Sequence, residues 1–287
     1  MEPNKPCWCG SGKKYKKCHK AFDEKLHLLK MQGHIIPDHS IIKTTEQIEK
    51  IRLSADLNTA VLDAVAAEIR PGMSTQEIDD IVYTYTVEHG GIPAPLNYEG
   101  FPKSVCTSIN DQICHGIPSE DDILQEGDIV NVDVSTILDG YFSDASRMFM
   151  IGEVPENAKR LIQVTEECVR LGLEQAKPWG FLGDIGEAVN THAQTNGYQV
   201  VRDIGGHGVG LEFHEEPFVS YVTRRGTEMV LAPGMMFTIE PMINEGTFEY
   251  TVDRDNGWTV YTADGLLSAQ IEYMVLITET GHEVLTK

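Results

Sequence analysis

Two acids, Asp133 and Asp144, stand on apolar runs joined by Asp139-Gly140, and this spacing forces their side chains together. An Asp-Gly pair between two such runs signals a two-residue hairpin loop, and a loop of that length fixes the register. Leu138 then faces Tyr141, and Ser135 faces Asp144. Side chains alternate faces with period two, so Asp133 shares a face with Asp144, one diagonal step away. The opposite face carries Val130, Val132, Val134 and Leu138 and reads as core. Like charges this close are destabilising unless a shared proton, a basic partner or a metal neutralises them.

Two further acids fall in apolar strand-like runs: Glu240 within Met235 to Met242, and Glu272 within Ile271 to Leu276. Four converging enclosed carboxylates would be prohibitive without cations. Basic residues nearby are few, Arg147 and the loop residue Arg254. His207, in Gly205-Gly206-His207-Gly208, adds an imidazole, with glycines that allow backbone to approach a ligand. Asp133, Asp144, His207, Glu240 and Glu272 therefore form an oxygen-dominated set suited to manganese, iron(II), cobalt or, less selectively, zinc. Two divalent ions would balance four carboxylates. Such a pair can hold a bridging water as hydroxide and polarise a carbonyl, the equipment for hydrolysing an amide. His115, before Gly116, and His214, seven residues beyond His207, could each point into a cleft. A second ligand group, Cys7, Cys9, Cys18 and His19, is enough for one tetrahedral structural zinc. A unit this small cannot fold on its own core, so the metal is a physical requirement.

The elements that must position these groups are legible from periodicity. Thr44 and Gln47 have capping-box spacing ahead of a helical pattern running from Ile48 through Val61 and Val65 to Ile69, ended by Pro71-Gly72. Ser74 and Glu77 open a second helix that runs to about His89 and stops at Gly90-Gly91. The second half repeats this plan at an offset of 107: Pro71 maps to Pro178, Gly90 to Gly197, Leu124 to Leu231, Gly127 to Gly234 and Asp133 to Glu240. Helix, helix, then strands, twice over, predicts an α+β domain with a pseudo-twofold axis and a mostly antiparallel curved sheet carrying its helices on the outer face. Glu240 then stands opposite Asp133 across the axis.

Residues 1–22 form a Cys/Lys/Gly-rich zinc unit, 23–40 a connector or linker, and 41–287 the main domain. With 287 residues and 41% hydrophobic content, the chain is an ordinary globular protein. No apolar run approaches the ~20 residues of a membrane span. The polar, cysteine-bearing N-terminus has no signal-peptide character, and the scattered Cys106, Cys114 and Cys168 fit a reducing compartment, so a cytoplasmic location is expected. A net charge of −21 argues against a broad nucleic-acid face and against DNA or membrane partners. Lys5, Lys13, Lys14, Lys16, Lys17 and Lys20 nevertheless make the first twenty residues locally basic, which is where contact with RNA should be sought.

From Ile41 onward the motifs NDQICHGIP, NVDVSTILDGYFSDASR, GGHGVGLEFHEEP, FTIEPM and SAQIEYMVLIT resemble methionine aminopeptidase of the bacterial type I class, with the pita-bread metallopeptidase fold. The resemblance implies removal of the initiator methionine from nascent chains whose second residue is small. It implies that Asp133 and Glu272 bridge two ions, that Asp144 holds one of them, and that His207 and Glu240 hold the other. Glu240 would also shuttle a proton, His115 would bond the substrate backbone, and His214 would stabilise the developing oxyanion. Tyr98, Phe101, Cys106, Phe213 and Trp258 match positions that line the methionine pocket, where aromatic rings and a soft sulfur suit a thioether. Phe101 stands where a tyrosine is usual, and Pro95 replaces a cysteine seen in some members. The short stretch between His214 and Glu240 has no space for the type II helical insertion. PCWCGSGKKYKKCHKA looks like the SEC-C zinc motif, whose lysines and Tyr15 suggest docking on an RNA-rich partner such as the ribosomal exit region. Two rival readings are a proline-directed aminopeptidase of the same fold, which commonly carries a large extra N-terminal domain, and a non-catalytic ribosome- or RNA-binding adaptor, in which degenerate ligands would be expected.

Overall fold

Asp139 and Gly140 both take positive φ, 51° and 82°, which gives the tight turn that the right-handed twist of a hairpin favours. Ten residue pairs follow, from Leu138 opposite Tyr141 down to Ile129 opposite Met150. Ser135 lies opposite Asp144 and Asp133 opposite Ser146, the diagonal relation that the loop dictates. The computed structural model describes residues 1–286.

Five helices are α1 (Lys20–Met31), α2 (Thr45–Glu68), α3 (Thr75–Glu88), α4 (Glu156–Gln175) and α5 (Leu182–Thr195). The strands are β1 (Ile92–Pro93), β2 (Cys106–Ile109), β3 (Gln112–Cys114), β4 (Ile129–Leu138), β5 (Tyr141–Met150), β6 (Gln199–Val200), β7 (Gly206–Gly208) and β8 (Glu215–Val219), followed by β9 (Met236–Ile239), β10 (Met242–Asn244), β11 (Tyr250–Val252), β12 (Val260–Thr262), β13 (Ser268–Gln270), β14 (Glu272–Ile277) and β15 (His282–Val284). The main sheet runs β1-β4-β5-β14-β9-β7-β8, with β2 beside β4 and β15 beside β14; every pairing in it is antiparallel. Both predicted capping boxes form: Thr44 and Gln47 open α2, and Ser74 and Glu77 open α3.

The duplication is carried by backbone bonds. α3 and α5 coincide residue for residue at the offset of 107. Gly72 N donates to Leu124 O at 2.7 Å, and Trp179 N donates to Leu231 O at 2.6 Å, the same bond one repeat later. Trp179 takes φ 70° where Gly72 takes 83°, so the turn has been kept although the glycine has not. Beyond the hairpin the offset becomes 126: Gly127 N donates to Ile151 O, and Gly234 N to Ile277 O, both at 2.8 Å. The extra residues make the β11–β12 excursion, which packs on β3 and carries Trp258. Ser146 pairs with Glu272, its own equivalent at this second offset, so the pseudo-twofold axis passes between β5 and β14.

Val130, Val132 and Val134 pack with Val61, Leu62 and Val65 of α2 and Ile78 and Val82 of α3 in one core cluster. The equivalent cluster joins α4 and α5 to Phe237, Ile239, Val275 and Ile277. Helices therefore cover one face of the sheet, and the other is left to the acids. Within residues 23–40, read from sequence as a connector, residues 23–31 continue α1 and bury Leu26 in the larger cluster. Phe22 meets Trp179 edge-on at 5.4 Å, Lys25 Nζ lies 4.0 Å over the same ring, and Ile35 O accepts from Val230 N at 2.9 Å.

Lys43, its side chain fully buried, pairs with Glu215, which is 9% exposed. Glu215 also accepts from the amides of Leu211 (2.6 Å) and Glu212 (3.0 Å), so this one carboxylate folds the loop carrying Phe213 and His214. Replacing Lys43 by Met strands that charge, at a cost of about 3–5 kcal/mol. Thermal unfolding of Lys43→Met should show a midpoint lowered by roughly 10 °C, and Lys43→Met/Glu215→Gln, which removes the charge but keeps an amide acceptor, should recover part of it.

Candidate active site

The order of the strands orders the site. Asp133 is on β4, Asp144 on β5, Glu272 opens β14, Glu240 follows β9, and His207 is central in β7. Pro241 cannot donate to a ladder, and β9 stops just short of it, leaving Glu240 at a break in the strand. Asp144, His207 and Glu272 offer ligand atoms that all lie within 4.8 Å of one another. His207 Nε2 is 3.7 Å from Asp144 Oδ2 and 3.7 Å from Glu240 Oε1. Asp133 is within hydrogen-bonding reach of Glu272 and Asp144.

Asp144 and Glu272, from the two middle strands, thus stand between Asp133 on one side and His207 with Glu240 on the other. The resemblance implies a bridging role for Asp133 with Glu272, and Asp133 lies beside that acid as well as beside Asp144. β4, flanked by β1 and β2 on one side and β5 on the other, lies one strand further from β7 than β5 does. The glycines beside His207 act differently from the sequence reading. A Cβ on Gly206 would lie 2.4 Å from Thr238 O, and one on Gly208 2.1 Å from Glu216 O, so they admit the flanking strands rather than a ligand.

His207 Nδ1 bonds to Gly208 O at 3.0 Å. The carbonyl can only accept, so Nδ1 carries the hydrogen and Nε2 presents its lone pair to the acids. Burial pushes His207 down to about 4, so the ring is neutral near pH 7. Burial also raises all four carboxyl groups, and their mutual repulsion adds to this for Asp144, Glu240 and Glu272. Asp133 Oδ1 and Glu272 Oε1 are buried with no hydrogen-bond partner among the described residues. Acceptor-only atoms enclosed together with a free imidazole lone pair are what a divalent cation satisfies and a hydrogen bond does not.

The five groups form one end of a cleft of about 730 Å³ that also takes in Tyr98, Phe101, Cys106, Phe213 and Trp258, together with His115 and His214. Phe101 meets Trp258 edge-on at 5.3 Å, and Tyr98 meets Phe213 at 4.8 Å, giving an aromatic slot closed by the buried Cys106. His115 sits at φ 57°, in the sparsely populated left-handed region, and burial lowers its pKa to about 4. His214 Nδ1 is 3.0 Å from the Tyr98 hydroxyl.

At the other end of the chain, Cys7 Sγ and Cys18 Sγ lie 3.2 and 3.3 Å from His19 Nδ1, and Cys9 Sγ lies 3.6 Å from Cys18 Sγ. These are the four predicted zinc ligands brought to one point. Trp8 covers them, 4.4 Å from the His19 ring and stacked on His39 at 4.1 Å.

A sheet lined by carboxylates, a neutral imidazole and an enclosed apolar slot define a metallopeptidase site, and residues 49–279 match metallopeptidase family M24. The chain belongs to that family, and residues 4–21 match the SEC-C motif. Methionine aminopeptidase A of Synechocystis sp. is 50% identical over 249 residues, 87% of this chain and 98% of that protein. The methionine aminopeptidase of Chlamydia pneumoniae is 45% identical over 289 residues, 100% of this chain and 99% of that protein. The crystal structure of the methionine aminopeptidase from Rickettsia prowazekii superposes with a TM-score of 0.84 at 45% identity, covering 86% of this chain and 99% of that one. The fold is the expected pita-bread arrangement. Prolidase from Pyrococcus furiosus matches less well, at a TM-score of 0.70 and 28% identity, and this chain covers only 65% of it.

Sequence reasoning missed the groups that fasten the acids. Ser135 Oγ donates to Asp144 Oδ1 at 2.8 Å, Thr238 Oγ1 to Glu240 Oε1 at 2.6 Å, and Gln270 Nε2 to Glu240 Oε2 at 2.9 Å. Their one sequence signal was period-two placement beside a ligand. Thr286 had none. The β5–β14 ladder ends at Ala145 opposite Tyr273, and there the buried Thr286 hydroxyl accepts from Met274 N at 2.9 Å and donates to Asp144 O at 3.1 Å. A hydroxyl wedged between the strands parts them at Asp144. Thr286→Val should cost about 1–3 kcal/mol by stranding two backbone groups, and calorimetry should show Mn(II) affinity falling while Thr286→Ser preserves it.

Proposed function

We propose that the protein is a methionine aminopeptidase that removes the initiator methionine from nascent proteins whose second residue is small, with Asp133, Asp144, His207, Glu240 and Glu272 holding a pair of divalent ions. The carrying observation is the adjacency of the enclosed acid set, with two partnerless carboxylate oxygens, to an aromatic slot lined by Cys106. An oxygen-rich set with one imidazole suits manganese, iron(II), cobalt or zinc. When bound, the ions lower the pKa of a water and polarise the scissile carbonyl.

The chain's own groups do the rest. Tyr98, Phe101, Cys106, Phe213 and Trp258 enclose the methionine side chain, and the soft thioether fits among rings. Glu240, held at both oxygens by Thr238 and Gln270, takes up a proton from water and delivers it to the leaving amine. His115, neutral at working pH, bonds the substrate backbone. His214, oriented by the Tyr98 hydroxyl, stabilises charge that develops on the carbonyl oxygen. The complete ligand set speaks against a non-catalytic adaptor, and the higher identity to methionine aminopeptidases, 50% and 45%, than to a prolidase, 28%, against proline-directed cleavage. The described residues contain no helix long and apolar enough to cross a membrane.

Residues 1–22, with Cys7, Cys9, Cys18 and His19 on a structural zinc, form an accessory unit ahead of a catalytic domain over 41–287. Its exposed lysines suit docking on the ribosome.

Metal-loaded protein should release methionine from Met-Ala-Ser and leave Xaa-Pro peptides intact, and chelation should abolish the reaction. His115→Ala should keep its metal content but lose about 10²–10³-fold in kcat. Unchanged kcat/KM on Met-Ala-Ser would remove His115 from this role. For the accessory unit, Lys13→Glu/Lys14→Glu/Lys17→Glu should abolish salt-sensitive co-sedimentation with ribosomes while zinc content stays the same.

A further inference from the structure

The active-site cleft does not end at the His214–Pro217 ridge. Glu215 and Glu216 line it on one side, and on the other they line a second depression of about 540 Å³. The apolar surface of that depression comes from Ile36, Ile41, Leu211 and Met229. Its polar rim is Asp38, Glu212 and Glu216, all exposed, because Glu215 is already neutralised by Lys43.

One wall of the depression, residues 36–41, belongs to the segment that joins the zinc unit to the catalytic domain. That wall is fixed at both ends. Ile35 bridges Met229 and its carbonyl accepts from Val230 N at 2.9 Å; Ile42 bridges Met235, and Lys43 N donates to Gly234 O at 2.8 Å. Asp38 Oδ1 accepts from Ser40 N at 2.9 Å and sets the turn between them.

The geometry of an aminopeptidase decides what reaches this place. The methionine side chain occupies the closed end, where Phe101 is 3% exposed. The rest of the substrate must leave on the open side, where His214 and Glu216 are exposed and Phe218 is 52% exposed. A peptide leaving past Glu216 meets the depression next. β8, which carries Glu215 and Glu216, is the edge strand of the main sheet, so the exit path runs along a sheet margin suited to an extended chain.

We propose that this depression is an extended subsite for the substrate residues beyond the second, selecting chains with Lys or Arg at those positions over chains with Asp or Glu. The proposal rests on the methionine aminopeptidase reading. Its chemistry is a groove of apolar side chains that covers the stems of long residues, under a rim of three exposed carboxylates that meets their charged heads. The joining segment then serves as a substrate-contacting wall as well as a tether.

The test is steady-state cleavage of Met-Ala-Ser-Lys-Lys, Met-Ala-Ser-Glu-Glu and the tripeptide Met-Ala-Ser by the full-length metal-loaded enzyme, repeated with Asp38→Asn/Glu212→Gln. Asn keeps the turn acceptor at position 38. In the unaltered enzyme the lysine peptide should exceed the glutamate peptide by about fivefold or more in kcat/KM, and the ratio should approach one in the double variant. A wild-type ratio of one would overturn the proposal. So would a ratio unaffected by the two substitutions, because the general field of a chain at −21 would survive the loss of two charges whereas a local rim would not. Failure to cleave Met-Ala-Ser at all would instead strike at the functional reading on which the subsite depends.

Discussion

Everything about this fold turns on the repulsion among four carboxylates enclosed at one end of a cleft. Left in water they would separate, and in a low-dielectric interior they cannot all stay ionised without cations. The chain distributes them over strands β4, β5 and β14 and the break after β9, so the sheet's hydrogen bonds resist their separation. Fasteners then aim them: Ser135 holds Asp144, and Thr238 and Gln270 hold the two oxygens of Glu240. Asp133 Oδ1 and Glu272 Oε1 are left with nothing to accept from, which is where the demand for cations concentrates. Hydrophobic burial on the opposite face offsets the local destabilisation, since alternate residues of β4 feed the acids and the core in turn.

Duplication explains how such a set arises and where it must break. Asp133 and Glu240 are true equivalents, one from each half. The inner pair is not. At the offset relating β5 to β14, the counterpart of Asp144 is Gln270 and the counterpart of Glu272 is Ser146. Had both halves kept the same acid, the two middle carboxylates would be related by the axis. Each half instead carries a neutral hydrogen-bonding residue where the other carries its acid, and both neutral residues are engaged: Gln270 donates to Glu240, and Ser146 accepts from Asn131 at 3.0 Å. Two functional middle acids thus come from non-equivalent positions, and the symmetry of the scaffold does not impose symmetry on the chemistry.

What could be read from the sequence was what local forces decide. The Asp139-Gly140 loop determined ten pairs of register, the two capping boxes determined helix starts, and the repeated turn positions exposed the duplication, because each depends on residues a few places apart. The Cys7, Cys9, Cys18 and His19 cluster was legible for the same reason. The order in which the acids stand across the sheet was not, because it depends on which strands become neighbours, a long-range property. The glycines around His207 were misread on the same ground: they answer to β8 and β9, whose approach no local pattern announces. Thr286 lies 142 residues from the carbonyl that it contacts. The continuation of α1 into the first part of the expected connector, as far as Met31, goes with the burial of Leu26 and the contact of Phe22 with the distant Trp179.

The N-terminal unit raises a question of charge that the catalytic domain alone would not. Residues 1–31 carry eight lysines against three acids, in a chain whose total is −21. A polyanion that attracts the unit repels most of the remaining surface, including the rim formed by Asp38, Glu212 and Glu216. Within a Debye length of about 8 Å at physiological salt, each pole acts on its own neighbourhood. The cleft belongs to the acidic pole, where Glu215 and Glu216 join it to the rim of the neighbouring depression. There its field favours the approach of a protonated α-amine, the one cationic group that every substrate of an aminopeptidase carries. Phe22 edge-on to Trp179 and Lys25 over the same ring hold α1 against the catalytic domain, so the basic pole keeps a fixed place relative to that field.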